Sequence, residues 1–141
     1  MSHLYKTRVS AVGGRAGSVK SDDGILELQL ALPTSLGGKG GATNPEQLFA
    51  AGYAACFENA VIHVTRRQEH KVRDDDIEVT AEVGLLPTET GGFKLSVSLD
   101  VVIAGLDQAK AEEVVRAAHE VCPYSNAVKG NIDVALNVSV K

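Results

Sequence analysis

The sequence predicts an α+β fold of antiparallel strands and two helices, and three observations predict it. Apolar and polar residues alternate through 25 to 32, 77 to 86, 93 to 104 and 131 to 140, the period of half-buried strands. Asn44-Pro45-Glu46-Gln47 opens a long apolar run with the residues of a helix N-terminus. From Asp107, a second stretch places Ala111, Val114, Val115, Ala118, Val121 and Cys122 at i, i+3 and i+4 spacing, one face of an amphipathic helix.

Taken in order, residues 4 to 12 form a first strand, and Gly13-Gly14-Arg15-Ala16-Gly17 turns the chain into a second at 25 to 32, where Leu26, Leu28, Leu30 and Leu32 share a face. Asn44 is the N-cap of a helix running to about His70, with Pro45 at its first position and Glu46 in the positive first turn. From Leu48 to Val64 that helix is apolar nearly all round and rich in Ala and Gly, which predicts burial on several sides. One small sheet cannot cover it, so an obligate homodimer is expected, the second copy burying the uncovered face. Asp74-Asp75-Asp76 is a solvated turn, and residues 87 to 92 link the third and fourth strands as a hairpin loop. Pro123 breaks the second helix directly after Cys122, and residues 131 to 140 close the chain as a last strand.

Nothing divides the 141 residues, which are read as one domain large enough for a core without disulfides or a structural metal. A net charge of -4 with scattered Lys and Arg argues against nucleic acid as a partner. No stretch has the length and apolarity of a membrane span, and residues 1 to 8 lack the apolar segment of a secretory signal, so a cytoplasmic location is expected. Four dispersed histidines and no Cys-x-x-Cys make a metal site unexpected. The Gly37-Gly38-Lys39-Gly40-Gly41 loop matches neither phosphate-binding fingerprint.

Chemistry points to the only two cysteines, Cys56 and Cys122. A thiolate is a nucleophile, and a second thiol within reach takes its oxidised form to a disulfide instead of irreversible acids. At the ordinary thiol pKa of about 8.5 only roughly 3 % is ionised at pH 7, and burial lowers that further, so a reactive Cys56 needs a cation beside it. Arg15, flanked by glycines in a loop, is the candidate cation, and Glu46 a carboxylate able to clamp its guanidinium bidentately. Glu46 precedes Cys56 by ten residues, about 15 Å along a helix, so an arginine serving both must lie obliquely across it. Each residue also has an inert reading: buried core cysteines, a solvated turn arginine and a first-turn carboxylate favoured by the helix dipole.

Gly13-Gly14-Arg15-Ala16-Gly17, the run from Asn44 to Phe57 and Val121-Cys122-Pro123-Tyr124-Ser125-Asn126-Ala127 together resemble the organic hydroperoxide resistance proteins, relatives of the osmotically inducible protein C group. The resemblance covers essentially the whole chain. It implies an intertwined homodimer with sheets wrapped around two long central helices, active sites at the subunit interface, and a Cys-based peroxidase for alkyl and fatty-acid hydroperoxides. By motif position Cys56 is then the peroxidatic cysteine, Cys122 the resolving one, Arg15 the activating cation and Glu46 its clamp. It further implies no bound cofactor and an external dithiol reductant, the lipoyl group of a carrier protein. A cysteine-pair redox sensor or binding module without multiple turnover is the rival expectation. Phe49, Tyr53 and Phe57, if they line the pocket, favour bulky apolar peroxides; otherwise they pack the core.

Overall fold

A computed structural model describes residues 1–141. Its elements run β1 (Val9–Val12), β2 (Ser18–Ser21), β3 (Glu27–Gln29), α1 (Pro45–Arg67), β4 (Ile77–Pro87), β5 (Phe93–Ile103), α2 (Gln108–Val121), α3 (Pro123–Val128) and β6 (Ala135–Val140). The α+β class is as the sequence predicts. The chain forms two compact units, Met1–Leu48 and Phe49–Lys141, whose boundary falls in the first turn of α1.

In the first unit β1, β2 and β3 form an antiparallel sheet in that order. The first strand is shorter than residues 4 to 12, and the expected strand at 25 to 32 is reduced to Glu27–Gln29, while β2 lies in a stretch with no alternating signal. Register explains this: Ser18 to Lys20 pair with Gln29 to Glu27, so β2 is held by two neighbours' backbones and not by an apolar face of its own. Downstream, Ala31 N–H donates to Thr43 O, and Leu30 bridges Thr43 in parallel, which ties the glycine-rich segment to the sheet just before α1 begins.

Asn44 caps α1 by accepting the Gln47 N–H at 2.8 Å. The Gln47 side chain does not close a capping box with Asn44; its Oε1 accepts from the Thr43 hydroxyl at 2.7 Å. The helix ends at Arg67, short of His70, where Glu69 turns left-handed (φ 59°) and the His70 N–H returns to Thr65 O.

In the second unit β4 and β5 form an antiparallel hairpin from Ile77↔Ile103 to Pro87↔Phe93, with the Gly92 N–H bonded to the Thr88 hydroxyl in the turn. β6 then lies parallel to β5, which corrects the expectation of wholly antiparallel sheets. The reason is the connection: a chain leaving β5 and returning through α2 and α3 re-enters the sheet in the same direction. Alternation marks which face of a strand is buried and carries no information on strand direction.

Being the central strand, β5 buries Val97, Leu99, Val101 and Ile103 against Tyr53, Phe57, Val61 and Val64 of α1 and Ala111, Val114, Val115 and Ala118 of α2. As the sequence reading expects of a single copy, α1 is not covered all round within one chain: Ala51, Ala55, Asn59 and His63, four residues apart, form an exposed stripe. Helix α2 starts as expected, with Asp107 Oδ1 accepting the Lys110 N–H at 2.8 Å.

Candidate active site

Arg15 sits in a 3₁₀ turn between β1 and β2, entered through Gly13 (φ 85°) and Gly14 (φ 63°). Two successive left-handed residues are what the glycines supply. The guanidinium reaches the first turn of α1, where Nη1 and Nη2 donate to Glu46 Oε1 and Oε2 at 2.6 and 3.0 Å, a bidentate fork. That hydrogen bonding to Arg15 holds the Glu46 carboxyl below its ordinary range, against the opposing effect of burial. The Arg15 guanidinium is raised in turn, first by the Glu46 bond. Two of its five N–H groups are engaged by the fork, which leaves three to donate elsewhere.

Cys56 lies on α1 and Cys122 between α2 and α3, both free, with sulfurs 3.7 Å apart. Cys122 is at once the C-cap of α2 and the N-cap of α3: its backbone leaves the helical region (φ -63°, ψ 124°) and Pro123 restarts the helix. The sequence reading of a break at Pro123 is right in place, and the short helix that follows was unforeseen. Cys122 is fully buried, whereas Cys56 is half-buried and borders an open depression of about 300 Å³ with Asn59, Ala60, His63, Val121 and Pro123. One thiol is therefore reachable and the other is shielded directly behind it.

Burial pushes the Cys56 thiol above its ordinary pKa, the neighbouring Cys122 pushes it further, and the Tyr124 backbone N–H pulls the other way. None of the groups that shift it is a cation. The aromatics expected near the pocket do otherwise: Tyr53 and Phe57 are fully buried in the core, and neither they nor Phe49 borders the depression. Gly52 lies under the Tyr124 ring, leaving no room for a Cβ, so this glycine in mid-helix is a packing requirement. The structure thus joins the four expected residues as two pairs, Arg15 with Glu46 in Met1–Leu48 and Cys56 with Cys122 in Phe49–Lys141.

The model of the OsmC-like protein family matches residues 38–137. The chain belongs to this family. It is 48 % identical over 136 residues to the organic hydroperoxide resistance protein OhrB of Bacillus subtilis, an alignment covering 96 % of this chain and 98 % of that one. Among solved structures, an organic hydroperoxide resistance protein from Legionella pneumophila superposes with a TM-score of 0.94 at 57 % identity, covering 99 % of this chain and 100 % of the other. One from Elizabethkingia anophelis does so at 0.94 and 46 %, covering all of both.

Sequence reasoning missed how this OsmC-like chain links the three helices beside its thiols. Tyr53 OH lies 2.7 Å from Ser125 Oγ, and Ser125 Oγ lies 2.8 Å from His119 Nδ1. The available signal was spacing: Tyr53 stands three residues before Cys56, and His119 and Ser125 three residues before and after Cys122. No group of three or more His, Cys, Asp or Glu side chains is placed to hold a metal ion, and no helix is long and apolar enough to cross a membrane.

Proposed function

We propose that this chain reduces organic hydroperoxides to alcohols, with Cys56 as the attacking thiol and Cys122 as the resolving one. The observation that carries the reading is the thiol pair itself: two free sulfurs 3.7 Å apart, one bordering an open depression and one buried at a helix break. It agrees with the names of the relatives. Cys56 thiolate attacks the distal peroxide oxygen, the O–O bond breaks, and the departing alkoxide takes a proton to leave as an alcohol. Cys56 is now a sulfenic acid. The Cys122 thiol displaces its hydroxyl, which leaves as water with the Cys122 proton, and the disulfide is returned to two thiols by an external dithiol that is itself oxidised.

Because burial raises Cys56, the thiolate needs a positive partner in the reacting state. In this proposal that partner is Arg15, held by Glu46 and donating its remaining N–H groups to thiolate and peroxide oxygen. The depression beside Cys56 has apolar walls in Ala60, Val121 and Pro123, which favours alkyl and fatty-acid peroxides over hydrogen peroxide. The dithiol is proposed to be a lipoyl group on a carrier protein, the enzyme to need no bound cofactor, and its place of work to be the cytoplasm.

A homodimer acting as one catalytic domain completes the proposal. It is supported by the exposed stripe of small and polar residues on α1 and by the exposed apolar side chains of Leu4, Tyr5, Val9 and Val12, surfaces that a second copy wrapping its sheets around paired α1 helices would bury. Peroxide consumption with excess dithiol tests the function. Many turnovers with an alkyl hydroperoxide, and few with hydrogen peroxide, are expected; a single stoichiometric oxidation would assign the pair to a redox sensor instead.

A further inference from the structure

We infer that Tyr53, Ser125 and His119 form a hydrogen-bonded pin that positions Cys122 for attack on oxidised Cys56, an inference resting on the proposed peroxidase cycle. The pin joins three elements at the two thiols: Tyr53 is one turn from Cys56 on α1, His119 one turn before Cys122 on α2, and Ser125 one turn after it on α3. Both contacts converge on a single hydroxyl, Ser125 Oγ, which is 2 % exposed.

Counting protons fixes the direction of the chain. Tyr53 is fully buried and its hydroxyl has Ser125 as its partner, so the Tyr53 O–H donates to Ser125 Oγ. The Ser125 O–H then has one acceptor, His119 Nδ1, which places the imidazole in the tautomer protonated on Nε2. Burial raises the Tyr53 phenol above its ordinary pKa, which keeps this donor protonated. Donation the other way, from His119 through Ser125, would leave the Tyr53 proton without an acceptor in a dry site.

The need for a pin follows from the backbone. Cys122 is the single non-helical residue between α2 and α3, and such a joint swings unless both sides are held. Ser125 holds them, bonding back across the joint to His119 and sideways to the helix that carries Cys56, while Asn126 Nδ2 spans the same joint to Glu120 O at 3.2 Å. A disulfide needs its sulfurs at about 2.05 Å, some 1.7 Å closer than the 3.7 Å found here. With the backbone fixed on both sides, that step is left to side-chain torsion. No atom of the pin exchanges a proton with the reacting sulfurs; its three members are positioning residues.

The test separates the two chemical steps. Full-length protein is given one equivalent of cumene hydroperoxide, sulfenic acid is trapped with dimedone at timed intervals, and adduct and disulfide are counted by mass spectrometry. In Ser125→Ala and Tyr53→Phe, oxidation of Cys56 is expected within twofold of the unaltered rate and disulfide formation slowed at least tenfold. His119→Asn, whose amide oxygen takes the place of Nδ1, is expected to restore resolution to within threefold, and His119→Leu is not. A second measurement needs no peroxide: the equilibrium between Cys56–Cys122 disulfide and reduced dithiothreitol, where Tyr53→Phe and His119→Leu lower the effective concentration of the pair at least tenfold. Unchanged resolution and unchanged equilibrium in these variants overturn the pin. If the unaltered protein does not react with cumene hydroperoxide, the peroxidase reading fails, and the dithiothreitol equilibrium still decides the pin.

Discussion

Residues Met1–Leu48 and Phe49–Lys141 are stabilised in different ways. Every residue of β1 is exposed, and the first unit buries only Leu30, Ser21 and Asn44; what organises it is backbone pairing and polar forks, Arg15 on Glu46 above all. The second unit packs a continuous apolar core from three helices and a three-stranded sheet and sets Cys122 into its wall. The difference separates two tasks. A reachable thiol beside a shielded one needs a rigid packed frame, whereas the guanidinium that the proposed cycle brings to a thiolate and a peroxide is better carried on a glycine turn with little holding it except Glu46.

The largest expected effect tests the second unit. Cys56→Ser should lower peroxide turnover at least about 10³-fold, since a serine hydroxyl cannot accept the oxygen, while Cys122→Ser should keep the first oxidation and drive Cys56 to sulfinic acid. Steady-state consumption and intact-mass measurement read both outcomes; ordinary turnover in Cys56→Ser would move the chemistry elsewhere.

Stability should divide along the same line. Leu99→Ala, in the middle of β5 and fully buried, is expected to cost about 2–5 kcal/mol in urea unfolding, against at most about 0.5 kcal/mol for Val12→Ala in the isolated chain. Similar costs for the two would mean that the first unit has a hidden core. If a second copy covers Val12, its replacement by Asp should instead shift sedimentation toward the monomer.

Next comes the clamp. Arg15→Met should reduce kcat/KM about 10²-fold with the fold intact, a loss typical of removing a charge-stabilising donor. Alkylation of Cys56 by iodoacetamide in the resting protein should rise with pH through a midpoint above the ordinary thiol value, because burial disfavours the thiolate. A midpoint well below that value, abolished by Arg15→Met, would show the cation acting before any peroxide arrives.

The smallest effect is the pH dependence of the fork. Glu46 is lowered in the folded chain, so its contribution is present above the unfolded carboxylate pKa and fades as pH falls through the folded one. Partial exposure limits it to about 1 kcal/mol. Unfolding of the unaltered chain and Glu46→Gln at pH 7 and pH 3 should show this difference at the higher pH alone.

Local signals read well where each element carried its own. The caps at Asn44 and Asp107, the hairpin at 87 to 92 and the break at Pro123 all depend on neighbours in sequence, and all four candidate residues were visible as residue types in unusual settings. The short strand Ser18–Ser21 was not visible, because its place is set by two partners and not by its own pattern. Nor was the direction of β6, decided by the helices that carry the chain back to β5.

The two thiols and the Arg15–Glu46 fork are thus written in the chain as residue types in special settings, since glycines, caps and a proline act on the few residues beside them. Tertiary structure alone decided that the sulfurs stand 3.7 Å apart, that Cys56 is the accessible one, and that Tyr53, Ser125 and His119 meet on one hydroxyl. Contacts between residues 66 or 72 positions apart leave no periodic trace in sequence; they exist only once a shared core brings three helices together.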